Sequence, residues 1–343
     1  MAPNTSLILA EMKAEVSSRE TAIFVAEFVV FLLLLILILF GNSLTLYVVL
    51  SNRRLRTVPN LFVVSLAVSD LGMGVFVLAL GMVALYVSRW PFGDAVCQYK
   101  GFFAITLAAA SIQTLALTSV NRYFKVVKPS LYRKYFTMRA TIICILSSWF
   151  LATLATIPYL ASGFRMIYHP GKFVCYYNDT SWWLGTVIII YVGLPNSVIV
   201  FCYYQVFKTV KIHQKHLQST QNNRSNVSVE DIKITRTLFV VVVFFMFCWA
   251  PYMIVDLVDV FRGYWSMSRE VYTMSTFLGT LSSAVNPVIY CFLNSSFRRE
   301  YSRSLGLRRR RTEDRCPTRT ETERNAIRGG DNKIRVGWTE YLG

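Results

Sequence analysis

Residues 23–50 read IFVAEFVVFLLLLILILFGNSLTLYVVL, and Glu27 is the only charged side chain among them. A helix needs about 20 apolar residues to cross the hydrocarbon core of a bilayer, and this stretch is longer than that. It is also too long for a cleaved signal peptide, and Glu11, Glu15 and Glu20 make its approach acidic, whereas a signal peptide begins with basic residues. We therefore expect a membrane span that remains in the protein.

Six further apolar runs follow, at residues 61–87, 101–127, 141–161, 182–207, 234–260 and 271–293. The chain of 343 residues is 54% hydrophobic although its formal net charge is +17, which is unusual for a soluble protein. It shows no tandem repeat and no alternating ten-residue pattern, so a solenoid and a β-barrel are disfavoured. The sequence predicts an all-α membrane protein, a seven-transmembrane helix bundle.

The distribution of Lys and Arg predicts the orientation of this bundle. The connections after spans one, three and five are rich in basic residues, whereas the opposite connections hold only one or two each. Because basic loops stay on the cytoplasmic side, the N-terminus is expected outside and the C-terminus inside the plasma membrane. The positive charge flanks the spans, which favours anionic membrane lipid over nucleic acid as its partner.

Four regions follow from this orientation. Residues 1–21 form an extracellular N-terminus, 22–293 the bundle, 294–307 a short amphipathic helix on the membrane surface, and 308–343 a basic cytoplasmic tail. The tail is polar and poor in large apolar groups, which predicts disorder. Asn4 and Asn178 begin glycan acceptor motifs on the predicted outer side.

Asp70 lies in the middle of the second span, and no basic residue occurs at comparable depth in another span. A bare carboxylate in hydrocarbon is costly, so this group must be protonated or compensated by polar neighbours or by a cation. The sequence leaves open a neutral acid in a polar network and a cation site.

Three motifs complete the pattern. Span three ends in Asn121-Arg122-Tyr123, span six carries Phe245-x-x-Cys248-Trp249-Ala250-Pro251-Tyr252, and span seven closes with Asn286-Pro287-Val288-Ile289-Tyr290. With the polar, aromatic and proline residues of the earlier spans, this order resembles that of rhodopsin-like G-protein-coupled receptors, from span one to the amphipathic helix. The earlier residues are Asn42, Asp70, Trp149, Pro158 and Pro195.

The resemblance implies roles for these residues. Trp249 would be the rotamer-sensitive floor of a ligand cavity, Phe245 its packing partner, and Pro251 the kink about which span six swings. The inner switch and G-protein contact would comprise Asn121, Arg122, Tyr123, Tyr203, Asn286, Pro287 and Tyr290. A receptor of this kind is not an enzyme and needs no cofactor; its partners are an extracellular ligand and a heterotrimeric G protein.

Two further sites are implied by the same resemblance. Asp70 with Ser111, Ser283 and Asn286 is similar to a pocket that binds sodium as an allosteric ion in inactive receptors; a packed polar cluster without sodium is the alternative. Cys97 and Cys175 both lie on the predicted outer side, where an oxidising compartment allows a disulfide that pins the second outer loop over the bundle.

Within this family the chain most resembles the melatonin receptors. An aminergic receptor needs an acid where this chain has Ala104, and a retinal opsin needs a lysine where it has Thr280. The likeness to melatonin receptors rests on Asn121-Arg122-Tyr123, Cys248-Trp249-Ala250-Pro251, Tyr168-x-Pro170-x-x-x-x-Cys175 and Leu293-Asn294-x-x-Phe297-Arg298-x-Glu300-Tyr301. The departures are Tyr159, Tyr191 and Asp179 in place of Asn, His and Gln, and Asn286-Pro287 in place of Asn-Ala.

A ligand cavity is expected between the outer halves of the spans. Its lining would be small and aromatic with few charges, which favours a flat, weakly polar molecule over a free amine. Asp256 is the exception, as an acid placed to hydrogen-bond at the rim. The expected lining is Ala104, Ala108, Tyr177, Tyr191, Trp249, Tyr252, Asp256 and Thr276.

Arg122 lacks the neighbouring acid of the commoner motif, because Asn121 supplies no charge. Asp231 lies twenty residues before Pro251, about five and a half helical turns away, at the inner foot of span six. We expect it to be the resting partner of Arg122. The alternative is a solvated Asp231 beside Glu230 and Lys233.

Other readings remain open. The ligand could be a peptide, and a transporter could also carry Asp70, although repeated halves with broken helices are not evident. A membrane enzyme would cluster His, Cys or acidic residues at one depth, whereas the only histidines, His169, His213 and His216, fall in connections.

Overall fold

A computed structural model describes residues 5–177, 182–219, 229–262 and 265–306, without the side chains of residues 5, 6, 182 and 213–233. Seven helices within these ranges are long and apolar enough to cross a membrane. They confirm the predicted seven-helix bundle. These spans are Thr21–Ser51, Val58–Tyr86, Gly93–Val127, Met138–Ala161, Trp183–Ile212, Ile234–Arg262 and Arg269–Leu293.

The bundle has an apolar outside and a partly polar inside, the reverse of a soluble protein. Large apolar side chains such as Phe247, Ile254 and Phe292 are 68%, 61% and 72% exposed. Polar side chains such as Asn42, Asp70 and Asn286 are buried instead. This distribution is stable only when lipid tails cover the outer surface, as the sequence predicts.

Several spans depart from regular α-helix. Span two contains a π-helical turn at Met73–Leu78, and span five contains one at Ile188–Gly193. Pro251 and Pro287 lie inside the helices of spans six and seven. A proline removes a backbone hydrogen bond and bends its helix, so both spans have built-in points of bending.

Spans one and seven touch through a glycine and a polar contact. A β-carbon added at Gly41 would lie 2.9 Å from Cγ of Pro287, so only glycine allows this approach. The next residue, Asn42, donates from Nδ2 to the carbonyl oxygen of Ser283 at 3.1 Å. The bond also satisfies a carbonyl near Pro287, whose ring provides no donor.

The face of the bundle that carries the Cys97–Cys175 disulfide is called the outer face here, after the predicted orientation. It bears an antiparallel hairpin of two strands, Met166–His169 and Val174–Tyr177, and the disulfide ties this hairpin to the start of span three. The predicted disulfide is therefore present. The hairpin lies over the bundle, where Met166 and Cys175 are buried with Tyr159 and Leu184.

An N-terminal helix, Thr5–Ser18, also covers the outer face. It was not predicted from the sequence. Its Met12 packs against Val255, Trp265 and Tyr272 at the outer ends of spans six and seven. Buried Arg269 donates to Glu27 at 2.7 Å and to Glu15 at 3.4 Å, joining this helix and span one to span seven.

The opposite, inner face carries the short helix Ser295–Ser304, inside the predicted range 294–307. Phe297 and Tyr301 are buried against the bundle, and the Tyr301 hydroxyl lies 2.7 Å from Oγ1 of Thr45. The first of the two compact units of the chain ends at Tyr301. Asn4, Asn178, Asp179 and the tail 308–343 lie outside the described residues, so the glycan sites and the disordered tail stay predictions.

The close contact of Gly41 with Pro287 yields a prediction about stability. Gly41→Ala forces a methyl group against a rigid proline ring, and we expect a loss of about 1–3 kcal/mol. In a thermal unfolding measurement this corresponds to a midpoint lowered by about 2–4 °C per kcal/mol.

Gly185→Ala is the matched control, because a β-carbon there meets only Val260 Cγ1 at 3.6 Å. We expect its midpoint to stay level or to rise, since alanine favours helix over glycine. Equal midpoints for Gly41→Ala and the parent would contradict the proposed close packing of spans one and seven.

Candidate functional site

A cavity of about 300 Å³ lies under the outer hairpin, between all spans except the fourth. This volume is at the lower end of the range of small-molecule sites, about 300–1,000 Å³. Most lining groups are apolar, such as Ile105, Val187 and Met253. Of the eight residues predicted to line it, six do so: Ala104, Ala108, Tyr191, Trp249, Tyr252 and Thr276.

Two polar atoms in this lining have no partner among the residues that the structure describes. Oδ1 of Asn196 and Oγ1 of Thr276 are buried without a hydrogen bond to any described residue. Leaving a buried acceptor or hydroxyl unpaired costs about 1–3 kcal/mol. The two atoms come from spans five and seven, so a molecule in the cavity that hydrogen-bonds to both would recover this cost.

Trp249 forms part of the cavity wall nearer the inner face. Its ring stacks on Phe245, with centroids 5.7 Å apart, and its Nε1 donates to Oγ of Ser282 at 3.0 Å. Tyr252 lies one turn away on the same helix, with its ring centroid 5.6 Å from that of Trp249. The Trp249 indole therefore contacts both the cavity and span seven. It lies two residues before Pro251, where span six can bend.

Two predicted lining residues lie behind the cavity wall. Tyr177 is buried, donates to the carbonyl oxygen of Ala155 at 2.7 Å and packs edge-on against Tyr159. Tyr159, one of the departures from the melatonin-receptor pattern, therefore supports the wall from behind. Asp256 is buried as well, instead of hydrogen-bonding at the rim.

The partner of Asp256 is Lys172, at the turn of the outer hairpin. The lysine Nζ donates to Oδ1 of Asp256, and both side chains are only 1% exposed. The Tyr176 hydroxyl donates to the other carboxylate oxygen at 2.6 Å. Lys172 was not predicted from the sequence as a partner of Asp256, because no local spacing relates a loop lysine to an acid 84 residues later.

The cavity thus presents no unbalanced charge among the described lining residues, since Lys172 is the only charged one and is neutralised by Asp256. His169, next to this pair, is also uncharged. Burial, followed by the nearby positive charge of Lys172, lowers the pKa of His169 well below its usual value, so its imidazole stays neutral at pH 7.

Asp70 lies below the cavity, 2% exposed, among the residues predicted to hold sodium. Nδ2 of Asn286 donates to its Oδ2 at 2.8 Å. Ser111 instead donates to Ser69 at 2.9 Å. No Lys or Arg side chain of the described residues forms a salt bridge with Asp70. The Ser283 side chain also hydrogen-bonds to Asp70. A buried carboxylate with an amide and a hydroxyl donor but no cationic side chain among the described residues suits a small cation or a proton.

Arg122 is 1% exposed at the inner end of span three. Its guanidinium donates from Nε to Oδ1 of Asn121 at 3.2 Å and bonds the same oxygen through Nη2. Asn121 thus supplies an acceptor where the commoner motif has an acid. The side chain of Asp231, the expected resting partner, belongs to the part of the chain that the structure leaves undescribed, so that contact stays a prediction.

The other predicted switch residues surround this point. Tyr203 and Tyr290 are buried in the apolar cluster of the inner half, together with Phe245 and Phe297. The Tyr203 ring contacts Phe239 of span six, with centroids 5.1 Å apart, and Tyr290 contacts Phe297 at 5.4 Å. Tyr123 packs against Phe201 of span five at 6.1 Å.

Comparisons with known proteins agree with this arrangement. Residues 41–290 match the family described as seven-transmembrane receptors of the rhodopsin family. The chain is 30% identical to melatonin receptor type 1C of Xenopus laevis over 282 residues, 81% of this chain and 66% of that receptor. Against melatonin receptor type 1C of Gallus gallus, the identity is 31% over 270 residues, 77% of each chain.

A third relative, 5-hydroxytryptamine receptor 4 of Rattus norvegicus, is 27% identical over 321 residues, 84% of this chain and 79% of that receptor. The likeness to each of these relatives covers at least three quarters of this chain. The family match over residues 41–290 includes Asp70, Arg122 and most residues that line the outer cavity.

Proposed function

Because this chain belongs to the rhodopsin family of seven-transmembrane receptors, we propose that it converts binding of an extracellular small molecule into nucleotide exchange on a heterotrimeric G protein. The observation that carries the proposal is the uncharged cavity above Trp249, on the opposite face from Arg122. We further propose the plasma membrane as its location and the outer face as extracellular.

The ligand class follows from the cavity. A protonated amine requires a free acid, but Ala104 is not one and Asp256 is already paired with Lys172. A small, flat, neutral molecule with polar groups at two points would bury its rings and hydrogen-bond to Asn196 and Thr276. Melatonin is such a molecule, and the named relatives support it as the first candidate.

The contacts of span six suggest how ligand binding would change the conformation of the inner face. A ligand that changes the packing of Trp249 would act on its bond to Ser282 of span seven. Pro251, two residues later, is the point at which the outer and inner halves of span six can bend. Outward bending of the inner half would open the region of Arg122 and Tyr203 to a G protein.

The first test is guanine nucleotide exchange in membranes that contain the chain, with melatonin added. We expect a saturable rise in exchange for the parent and near-total loss for Arg122→Ala at matched surface expression. Intact coupling in Arg122→Ala would overturn the switch mechanism.

Tissue extracts form a second arm of this measurement. Activation by an extract but not by melatonin would retain the receptor and reject melatonin as its ligand. An absence of response to both would contradict the proposed function.

The second test concerns the hydroxyl of Thr276. With the agonist from the exchange measurement, Thr276→Val should raise the half-maximal concentration about fivefold, because one hydrogen bond contributes about 1 kcal/mol and valine keeps the shape. Thr106→Val is the matched control, since its hydroxyl is also buried without a partner among the described residues but does not line the cavity. Equal potency in the two variants would place the ligand elsewhere.

The third test addresses sodium, which we propose binds beside Asp70 with Ser111, Ser283 and Asn286. An ion that prefers the inactive state must oppose an agonist that prefers the active state, by the same factor in each direction. Replacing N-methylglucamine chloride by sodium chloride should therefore lower agonist affinity about fivefold or more in the parent. Asp70→Asn should abolish this effect. Equal sodium sensitivity in the two proteins would favour the polar cluster without sodium.

A further inference from the structure

The surroundings of the Lys172 ammonium form a cage. Its Nζ lies 4.3, 4.8 and 5.3 Å from the ring centroids of Tyr176, Tyr252 and Tyr272. Asp256 supplies the fourth side and accepts a hydrogen bond from the ammonium. Aromatic faces attract a cation through their quadrupole, and a carboxylate adds full charge, which is the combination that recognises organic ammonium groups in proteins.

The cage is held in place by contacts that do not involve the lysine. The Tyr176 hydroxyl donates to Oδ2 of Asp256 at 2.6 Å, and the Tyr272 hydroxyl donates to Oδ2 of Asp259 at 2.8 Å. Tyr252 and Asp256 lie one helical turn apart on span six, so they face the same side. The walls of the cage therefore come from the hairpin, span six and span seven.

The cage is also backed by packing on its outer side. His169 lies against Tyr272, with ring centroids 4.4 Å apart, and against Trp265 at 4.5 Å. The N-terminal helix covers Trp265 and Tyr272 with Met12. On its inner side the cage adjoins the main cavity, because Lys172, Tyr176 and Tyr252 also line that cavity.

We propose that Asp256, Tyr176, Tyr252 and Tyr272 form a binding site for a primary alkylammonium ion, and that in the intact protein the side chain of Lys172 occupies it. The lysine acts as a ligand attached to the hairpin. It therefore fastens the second outer loop to spans six and seven and closes the site to free amines. This proposal does not depend on which molecule binds the main cavity.

The test is chemical rescue of Lys172→Ala. This variant removes three methylene groups and the ammonium, which together are matched by n-propylammonium. It leaves Asp256 buried without a cation, which is destabilising. We expect millimolar n-propylammonium to raise the thermal unfolding midpoint of purified Lys172→Ala by at least about 2 °C, because a ligand that binds only the folded state stabilises it. Neutral 1-propanol should have no such effect.

Three controls make the result specific. The parent should not respond, because its own lysine fills the cage, and Lys172→Ala/Asp256→Asn should not respond, because the carboxylate is gone. Lys100→Ala is the matched buried-lysine control: the Lys100 ammonium donates to the Phe173 carbonyl and has no carboxylate partner among the described residues. An equal shift in any control would overturn the proposal, as would no shift in Lys172→Ala.

A variant that is too unstable to purify still gives an answer. If Lys172→Ala is recovered from membranes only when n-propylammonium is present during solubilisation, the proposal is supported. A yield that does not depend on the amine overturns it. The measurements require no G protein, so their failure would leave the proposed receptor function unaffected.

Discussion

Hydrocarbon offers no hydrogen bonds, so the polar groups inside this bundle are stable only where the protein or a bound molecule supplies their partners. The rest of the structure depends on this constraint. The partners are often on other spans. Asn286 of span seven donates to Asp70 of span two, and Trp249 of span six donates to Ser282 of span seven. Trp149 of span four reaches Ser65 of span two at 2.9 Å. These bonds fix which helices are neighbours, whereas apolar contacts alone would be equally favourable with lipid.

The same constraint explains why buried polar atoms without a hydrogen bond can indicate where a ligand or an ion binds. Asn196 and Thr276 leave polar atoms unpaired in the cavity wall, and no described residue is positioned to meet them. Asp70 accepts hydrogen bonds from the side chains of Asn286 and Ser283, whereas a carboxylate has room for about four. Other described atoms, such as Oγ1 of Thr106, are also buried without a partner, but those of Asn196 and Thr276 face a cavity. At such positions a ligand contributes most, because it can supply the missing hydrogen bond.

The sequence predicted the parts of the fold and the site that depend on local pattern. The lengths of the apolar runs determined the seven spans, and the motifs around Arg122, Trp249 and Tyr290 identified the family. Six of eight expected lining residues line the cavity. Tyr252 is the case that local pattern explains, because it lies three residues after Trp249 on one helix and so faces the same side. The others follow from the family resemblance. The N-terminal helix was missed, because its polar and charged residues gave no span-like signal before its packing partners were known.

The contact between Lys172 and Asp256 shows why the rest of the site could not be predicted from the sequence. Each residue looked like an ordinary rim charge, and only folding brings the hairpin turn onto spans six and seven. Their pairing changes the chemistry of the cavity, because among the described residues Asp256 was the acid expected in its lining, and it is already bound to a cation. Selectivity must then come from shape and from a few hydrogen bonds. Ala104, where an aminergic receptor has an acid, and the pairing of Asp256 with Lys172 therefore have the same consequence: the described lining of the cavity offers no free carboxylate to a cationic ligand.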